Sequence, residues 1–495
     1  MAVDVAAGRA VASESAAGTP TAPGAKLSIA TKLSYGLGEA AEGVKTAALE
    51  TFLFFYYVQV VGLSGSLTGL ALLVALLFDG ITDPVIGNLS DNFRSRFGRR
   101  HPFLYLAPIP LAVCLFLLFT PPATLAPWGL FAWMLGFTAL SRLMQSFYFV
   151  PHMALGAELS TDFKERVSVS AYRTMFAFIG RLVSLGIAFS IFFKASPAFP
   201  NGQLNRAAYS PFAIVCGLVC IAVILLSALG TQKRAKAVYE ADSRRSLRES
   251  SGGPFRNLGR AFRMRSFAVY FTAILISYVL GGVQAALNIH LNTYYWGLPP
   301  AGIQTVFFFS VFGFMAGIWL AKPLANRFDK KPVYIACVVL SVLMITLPIV
   351  LAQLGLYPVD NKPLLVWCLA ANTFVAGFLG SPAMVIAAAM LADVADAYEH
   401  RFKARSEGFL FGASAFTRKA SLGIGGAIAG IALDVIHFPR GVPPEAVPRE
   451  AAVKLALLFG PGMVIFTCIS MTIMWTYDLT REKHADILRS LGRGE

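Results

Sequence analysis

Asp79, Asp83 and Lys419 are the side chains of this sequence with the strongest claim to a chemical role. The two aspartates stand four apart in the apolar stretch 67–89, hence stacked on one helix face. Carboxylates held that close repel each other unless a proton or cation is shared between them. Oxygen ligands suit a hard alkali ion, and Thr82 adds a hydroxyl beside them. Lys419 lies in another apolar stretch, 408–436, next to a glycine-rich run from Gly423 to Gly430. A buried ammonium needs a counter-charge, and the aspartates are its natural partner. An ionisable group at the centre of a bilayer costs about 2.5–3.5 kcal/mol on insertion scales, so each invites a reason. The plain reason is a salt bridge that only holds helices together. The chemical one is reversible capture of a cation, and the cost favours it.

Further polar groups sit in the other apolar stretches. The first carries Glu39, Glu42, Lys45 and Glu50, of which Glu42 and Lys45, three apart, can neutralise each other. Arg142, Gln145, Arg173, Arg181, Gln284, Asn288 and His290 are also candidates to face a solute. Cys216 and Cys220 mimic a ligand pair at i, i+4 but have no His or acidic neighbour, so they read as small packing residues. No nucleotide-binding glycine loop, zinc motif or nucleophile triad stands out, so an enzyme is not expected. Neither is any cofactor or metal beyond an alkali cation or proton.

Such charges must be positioned by elements in lipid. Of 495 residues, 56% are hydrophobic and 14% charged, far too apolar for a soluble protein of this size. The apolar residues fall into about twelve blocks long enough to cross a bilayer as helices. They do not alternate polar and apolar residues as a transmembrane barrel would. The formal net charge of +15 is concentrated in alternate loops: Arg94 to Arg100, Lys164 and Arg166, Lys233 to Arg248, Arg327 to Lys331, Arg401 to Arg405. The intervening loops are nearly bare, with Lys194, Arg206, Lys362, Arg440 and Arg449 as exceptions. That asymmetry predicts both termini on the cytoplasmic side of a multi-pass inner-membrane protein, and it excludes nucleic acid as the reason for the charge. The expected partners are the bilayer and a small-molecule solute, with the protein a monomer.

The predicted organisation is a tail over 1–32, a six-helix bundle over 33–230, a polar basic linker over 231–266, a second six-helix bundle over 267–478 and a tail over 479–495. The halves look related: Arg96-Phe97-Gly98-Arg99-Arg100-His101-Pro102 follows the second span and Arg327-Phe328-Asp329-Lys330-Lys331-Pro332 the eighth. That is the internal symmetry of parallel transporter halves.

Gly87-Asn88-Leu89-Ser90-Asp91 with Gly98-Arg99-Arg100 resembles the loop between spans two and three of the major facilitator superfamily. Leu77 to Pro84, Tyr56-Tyr57, Val60 to Leu63, Val150-Pro151 with Glu158 to Asp162 and Glu165-Arg166, and Ala392-Asp393 with Asp396, Glu399, Arg405 and Glu407-Gly408 resemble the glycoside–pentoside–hexuronide:cation symporters. The resemblance implies an all-α membrane protein of major facilitator fold, two pseudo-symmetric six-helix bundles working by alternating access. It implies cation:solute symport with Na⁺, Li⁺ or H⁺, the solute a sugar or glycoside. In the family, positions matching Asp79, Asp83 and a span-four hydroxyl, here Ser146, bind the cation, and a lysine matching Lys419 lies near cation and solute.

On the solute side the resemblance marks Glu42, Gly43, Gln145, Phe149, Arg173 and Lys419. Gly43 and Phe149 stand where the family's galactoside carriers have acids, Glu42 where they have a lysine, and Gln145 where they have a tyrosine. The ion side is kept and the galactoside side altered. Asp91, Arg99, Arg100, Glu158, Asp162, Arg166, Asp393, Asp396, Glu399 and Arg405 are expected to form a salt-bridge latch between the halves at the cytoplasmic face. Alternatives left open are an uncoupled facilitator, a symporter of an amphipathic or organic-acid solute, and a receptor or scaffold that binds without transport.

Overall fold

The computed structural model describes residues 27–160, 162–242, 261–403 and 407–492, which are helices joined by short turns. Twelve helical segments follow the expected blocks: α1 (29–61), α2 (Gly65–Asn92), α3 (His101–Leu118), α4 (Pro127–Glu158), α5 (Lys164–Phe192), α6 (Arg206–Asp242), α7 (Arg265–Tyr295), α8 (Pro300–Arg327), α9 (Lys330–Gln353), α10 (Lys362–Phe402), α11 (Glu407–Val435) and α12 (Arg449–Trp475). Among the described residues nine of these are long and apolar enough to cross a membrane. The other three, α1, α4 and α11, are the ones that bring Glu42, Arg142, Ser146 and Lys419 into the bundle.

Several ends differ from expectation, each for a local reason. Ser28 accepts a hydrogen bond from the Thr31 amide at 3.1 Å, so α1 starts inside the presumed tail. There Leu27 is buried and Lys32 lies 2.9 Å from Glu165. The α6 helix runs into the linker as far as Asp242, because residues 231–242 are mostly good helix formers and contain no breaker. By the same logic α10 continues to Phe402, well past the end of its apolar block. The C-terminal tail carries a short helix, α13 (Arg481–Ser490), capped by Thr480.

Within the N-terminal half α1 packs on α5 and α6, and α4 on α2 and α3; within the C-terminal half α10 packs on α8 and α9, and α7 on α11 and α12. Across the halves, α2 against α11 is the main contact. A methyl group on Gly65 or Gly430 would overlap the carbonyl of the other, so only glycine lets these backbones touch. One apolar cluster joins both halves at the end with bare loops, through Phe54, Phe55, Leu287, Tyr294 and Leu433. At the end with basic loops the C-terminal half has a separate cluster around Phe267, Met390 and Tyr398. The halves are therefore sealed together at one end.

Candidate ion and solute site

Asp79 and Asp83 share a face of α2, as their spacing requires, and Pro84 behind them removes the amide that would bond the Gly80 carbonyl. Asp79 is buried, whereas Asp83 and Lys419 are each 26% exposed. Lys419 Nζ reaches across from α11, 3.1 Å from Asp79 Oδ2 and in direct contact with Asp83 Oδ2. From α4, Ser146 Oγ lies 3.1 Å from Asp79 Oδ1 and 2.5 Å from Asp83 Oδ1, its single proton serving one at a time. Arg142 Nη1, one turn away, stands 3.4 Å from Asp79 Oδ2. Two carboxylates face one ammonium and one guanidinium, so the cluster is formally neutral. Its charges belong to both halves.

Thr82 is not drawn in: its hydroxyl donates to the Asp79 carbonyl of its own helix at 3.2 Å. That is a frequent habit of helical threonines and invisible in spacing. The role of Arg142 as a counter-ion escaped the sequence reading, which ranked it only among residues able to face a solute.

Beside this cluster Gln145 Nε2 donates to Glu42 Oε2 at 2.5 Å, and Lys45 Nζ to Glu42 Oε1 at 2.7 Å. Arg142, Gln145, Ser146 and Phe149 lie along one face of α4, and Phe149 packs on the large apolar cluster. Arg173 stands 3.9 Å from Glu39 Oε1 and touches the Met153 sulfur. Gly43 is corrected: a side chain there would overlap the Ala177 carbonyl, so the residue serves the close crossing of α1 and α5 instead of facing a solute.

The described contacts of the residues expected to form a latch lie within one half or the other. Arg100 bonds Glu158 Oε1 at 2.9 Å and Ser90 Oγ at 2.7 Å and touches Asp91, while Arg99 lies 3.0 Å from Glu158. Asp162 caps α5 through the Glu165 amide at 2.9 Å, and Arg166 donates to the Ser160 carbonyl at 2.8 Å. In the other half Asp393 meets Lys330 at 2.6 Å, and His484 of α13 lies 3.0 Å from Asp396. Glu399 sits near the end of α10, its carbonyl bonded by the Lys403 amide at 2.8 Å. Arg405 lies outside the described residues. The part taken by Lys330 and His484 was not foreseen, because neither neighbours these acids in sequence.

At the sealed end Asp434 accepts from the amides of Gly65 and Ser66 at 3.1 and 2.8 Å and from Ser66 Oγ at 2.6 Å, and Arg440 pairs with it at 2.7 Å. Tyr294 donates to Gln59 at 3.1 Å and Gln203 to Thr293 at 3.1 Å, again between halves. His290 is buried between these contacts, its ring 4.9 Å from that of Phe55.

Residues 34–481 match the family described as MFS/sugar transport protein. The chain is 26% identical to the putative glycoside/cation symporter YagG of Escherichia coli, over 94% of this chain and 95% of that one. It is 25% identical to sodium-dependent lysophosphatidylcholine symporter 1-A of Danio rerio, over 92% and 87%. The nucleoside transporter NupG superposes with a TM-score of 0.58 at 12% identity, covering 91% of this chain and 99% of that one. With its family profile matched over nearly its whole length, an all-helical fold and charged groups meeting between two helix bundles, the chain belongs to the sugar-transport family of the major facilitator superfamily.

Proposed function

We propose that the protein is a cation-coupled symporter carrying a sugar or glycoside by alternating access between two six-helix bundles. The observation that supports this best is Lys419 of one half held by Asp79 and Asp83 of the other. An incoming cation and the ammonium compete for the same carboxylate oxygens, with Ser146 adding a third oxygen ligand. Ion binding then releases α11 from α2, which makes the ion a lever on how the halves lie. The coupling ion is Na⁺, Li⁺ or H⁺. The names of relatives, one a glycoside/cation symporter and one sodium-dependent, accord with this reading.

In this reading the basic end is cytoplasmic, both termini are inside, and the conformation is closed outward. The Arg100–Glu158 and Lys330–Asp393 pairs exchange partners across the halves when the inner side closes. Reconstituted vesicles with imposed Na⁺, Li⁺ or pH gradients test it against a panel of mono- and disaccharides and their glycosides. Wild type is expected to accumulate solute uphill under one gradient, and Asp83→Asn to lose that accumulation. Undiminished accumulation in Asp83→Asn, or flux indifferent to every gradient, contradicts symport through these carboxylates.

A further inference from the structure

Glu50 stands apart from the other acids inside the N-terminal bundle. Glu39, Glu42, Asp79 and Asp83 each face a basic side chain. Glu50 is half-buried on α1, and among the described residues it makes no hydrogen bond or ion pair. A lone carboxylate in a membrane helix is costly and invites a reason. It sits where Ala47–Phe52 winds as a widened π-helical turn, a distortion frequent at functional sites. On α4, buried Arg142 holds Asp79 through Nη1 at 3.4 Å, while its Nε has no hydrogen-bond partner. Glu50 and Arg142 line one cavity of about 40 Å³ between the halves, and among the described residues they are the only charged groups on its wall.

Charge balance gives that arrangement a use. Without an ion, Lys419 and Arg142 neutralise Asp79 and Asp83. A cation added to those carboxylates leaves one positive charge in excess, beside a guanidinium that does not deprotonate. A proton on Asp79 creates the same need, since it removes the charge that holds Arg142. Lys419 is 26% exposed and can turn toward water, whereas Arg142 is buried and cannot. The facing wall of the cavity, Gly282, Ala285 and Ala286 of α7 with Leu422 and Gly426 of α11, offers no side-chain acceptor. Glu50 is the anion that shares the cavity with the displaced guanidinium.

We propose that Glu50 is a positioning residue for ion binding: it receives the Arg142 guanidinium when the coupling ion takes Asp79, and so lets Asp79 change partners without leaving a buried charge unpaired. The proposal rests on the symport reading and adds to it a second seat for Arg142, on α1 instead of α2.

Thermal unfolding of the purified full-length protein, titrated with Na⁺, Li⁺ and H⁺, tests it, because a ligand raises the midpoint of the state it binds. The variants are Glu50→Gln, Glu50→Asp, Arg142→Gln and the double variant Glu50→Gln with Arg142→Gln. Glu50→Gln is expected to raise the ion concentration at half-saturation roughly tenfold, the worth of about one hydrogen bond between charged groups. Glu50→Asp keeps the charge and should recover most of that affinity. Arg142→Gln should bind the ion at least as tightly as wild type, and adding Glu50→Gln to it should change nothing further. A merely structural role for Glu50 would move the ion-free midpoint and leave half-saturation where it was. Half-saturation unchanged by Glu50→Gln, or raised as much in the Arg142→Gln background as in wild type, overturns the proposal. If Arg142→Gln does not fold, Glu50→Asp decides, and a weakening equal to that of Glu50→Gln overturns the role of the charge. A wild type that responds to none of the ions overturns the symport reading and the proposal with it; an ion response that Glu50→Gln leaves intact overturns the proposal alone.

Discussion

At the scale of residues, the ion cluster is an exercise in charge balance. With Lys419 and Arg142 opposite Asp79 and Asp83, no ionised group is left without an opposite charge. Removing one partner of a buried pair typically costs roughly 3–5 kcal/mol, and the partial exposure of Lys419 and Asp83 lowers that. Lys419→Ala should therefore lower the melting temperature and abolish concentrative uptake at matched expression. Lys419→Ala combined with Asp83→Asn should recover much of the stability, since both charges are gone, without recovering uptake. Additive stability losses in that double-mutant cycle would show that the two groups do not interact as described. The aspartates and the lysine were legible because charge is conspicuous among apolar residues. Thr82 and Gly43 make contacts that spacing and alignment do not reveal, for opposite reasons. A hydroxyl can satisfy its own helix, and an alignment position says nothing about which neighbour crowds it.

At the scale of elements, the seal between α2 and α11 is the feature that sequence reading passed over. The glycine-rich run Gly423 to Gly430 is where the two helices come closest, with Gly430 against Gly65. Asp434, however, resembles any acid near a helix end until the fold brings it to the first amides of α2, where it caps a helix of the other half. The outer bases that broke the charge pattern find uses at the same end. Arg440 pairs with Asp434, Arg206 donates to the Pro121 carbonyl at 2.7 Å, and Lys362 to the Trp296 carbonyl at 2.9 Å. Losing a helix cap costs about 0.5–2 kcal/mol, enough to move a conformational equilibrium several-fold. Asp434→Ala should shift the protein toward the outward-open form. Spin labels at Ala123 and Asp360, in loops of the two halves at that end, should then show a longer distance population. An unchanged distribution would mean that Asp434 does not hold the seal.

At the scale of the whole molecule, composition and charge asymmetry made the helical membrane fold legible, and the repeated basic turns indicated two related halves. What the sequence could not show was which helices meet across those halves, because apolar periodicity carries no information about partners hundreds of residues away. The charge asymmetry makes its own prediction: a cysteine introduced at Ser243, between the halves, should resist an impermeant thiol reagent in intact cells and react after permeabilisation. Labelling from outside would reverse the orientation. The central claim is that ion binding at the Asp79 and Asp83 carboxylates and solute binding are energetically linked, and linkage is reciprocal. The most direct measurement is calorimetric titration of a stabilising solute with and without the coupling ion, and of the ion with and without that solute, in wild type and Asp79→Asn. Equal factors of tightening in both directions for wild type, vanishing together in Asp79→Asn, are the predicted result. Solute affinity indifferent to every ion, or tightening that survives Asp79→Asn undiminished, would contradict it.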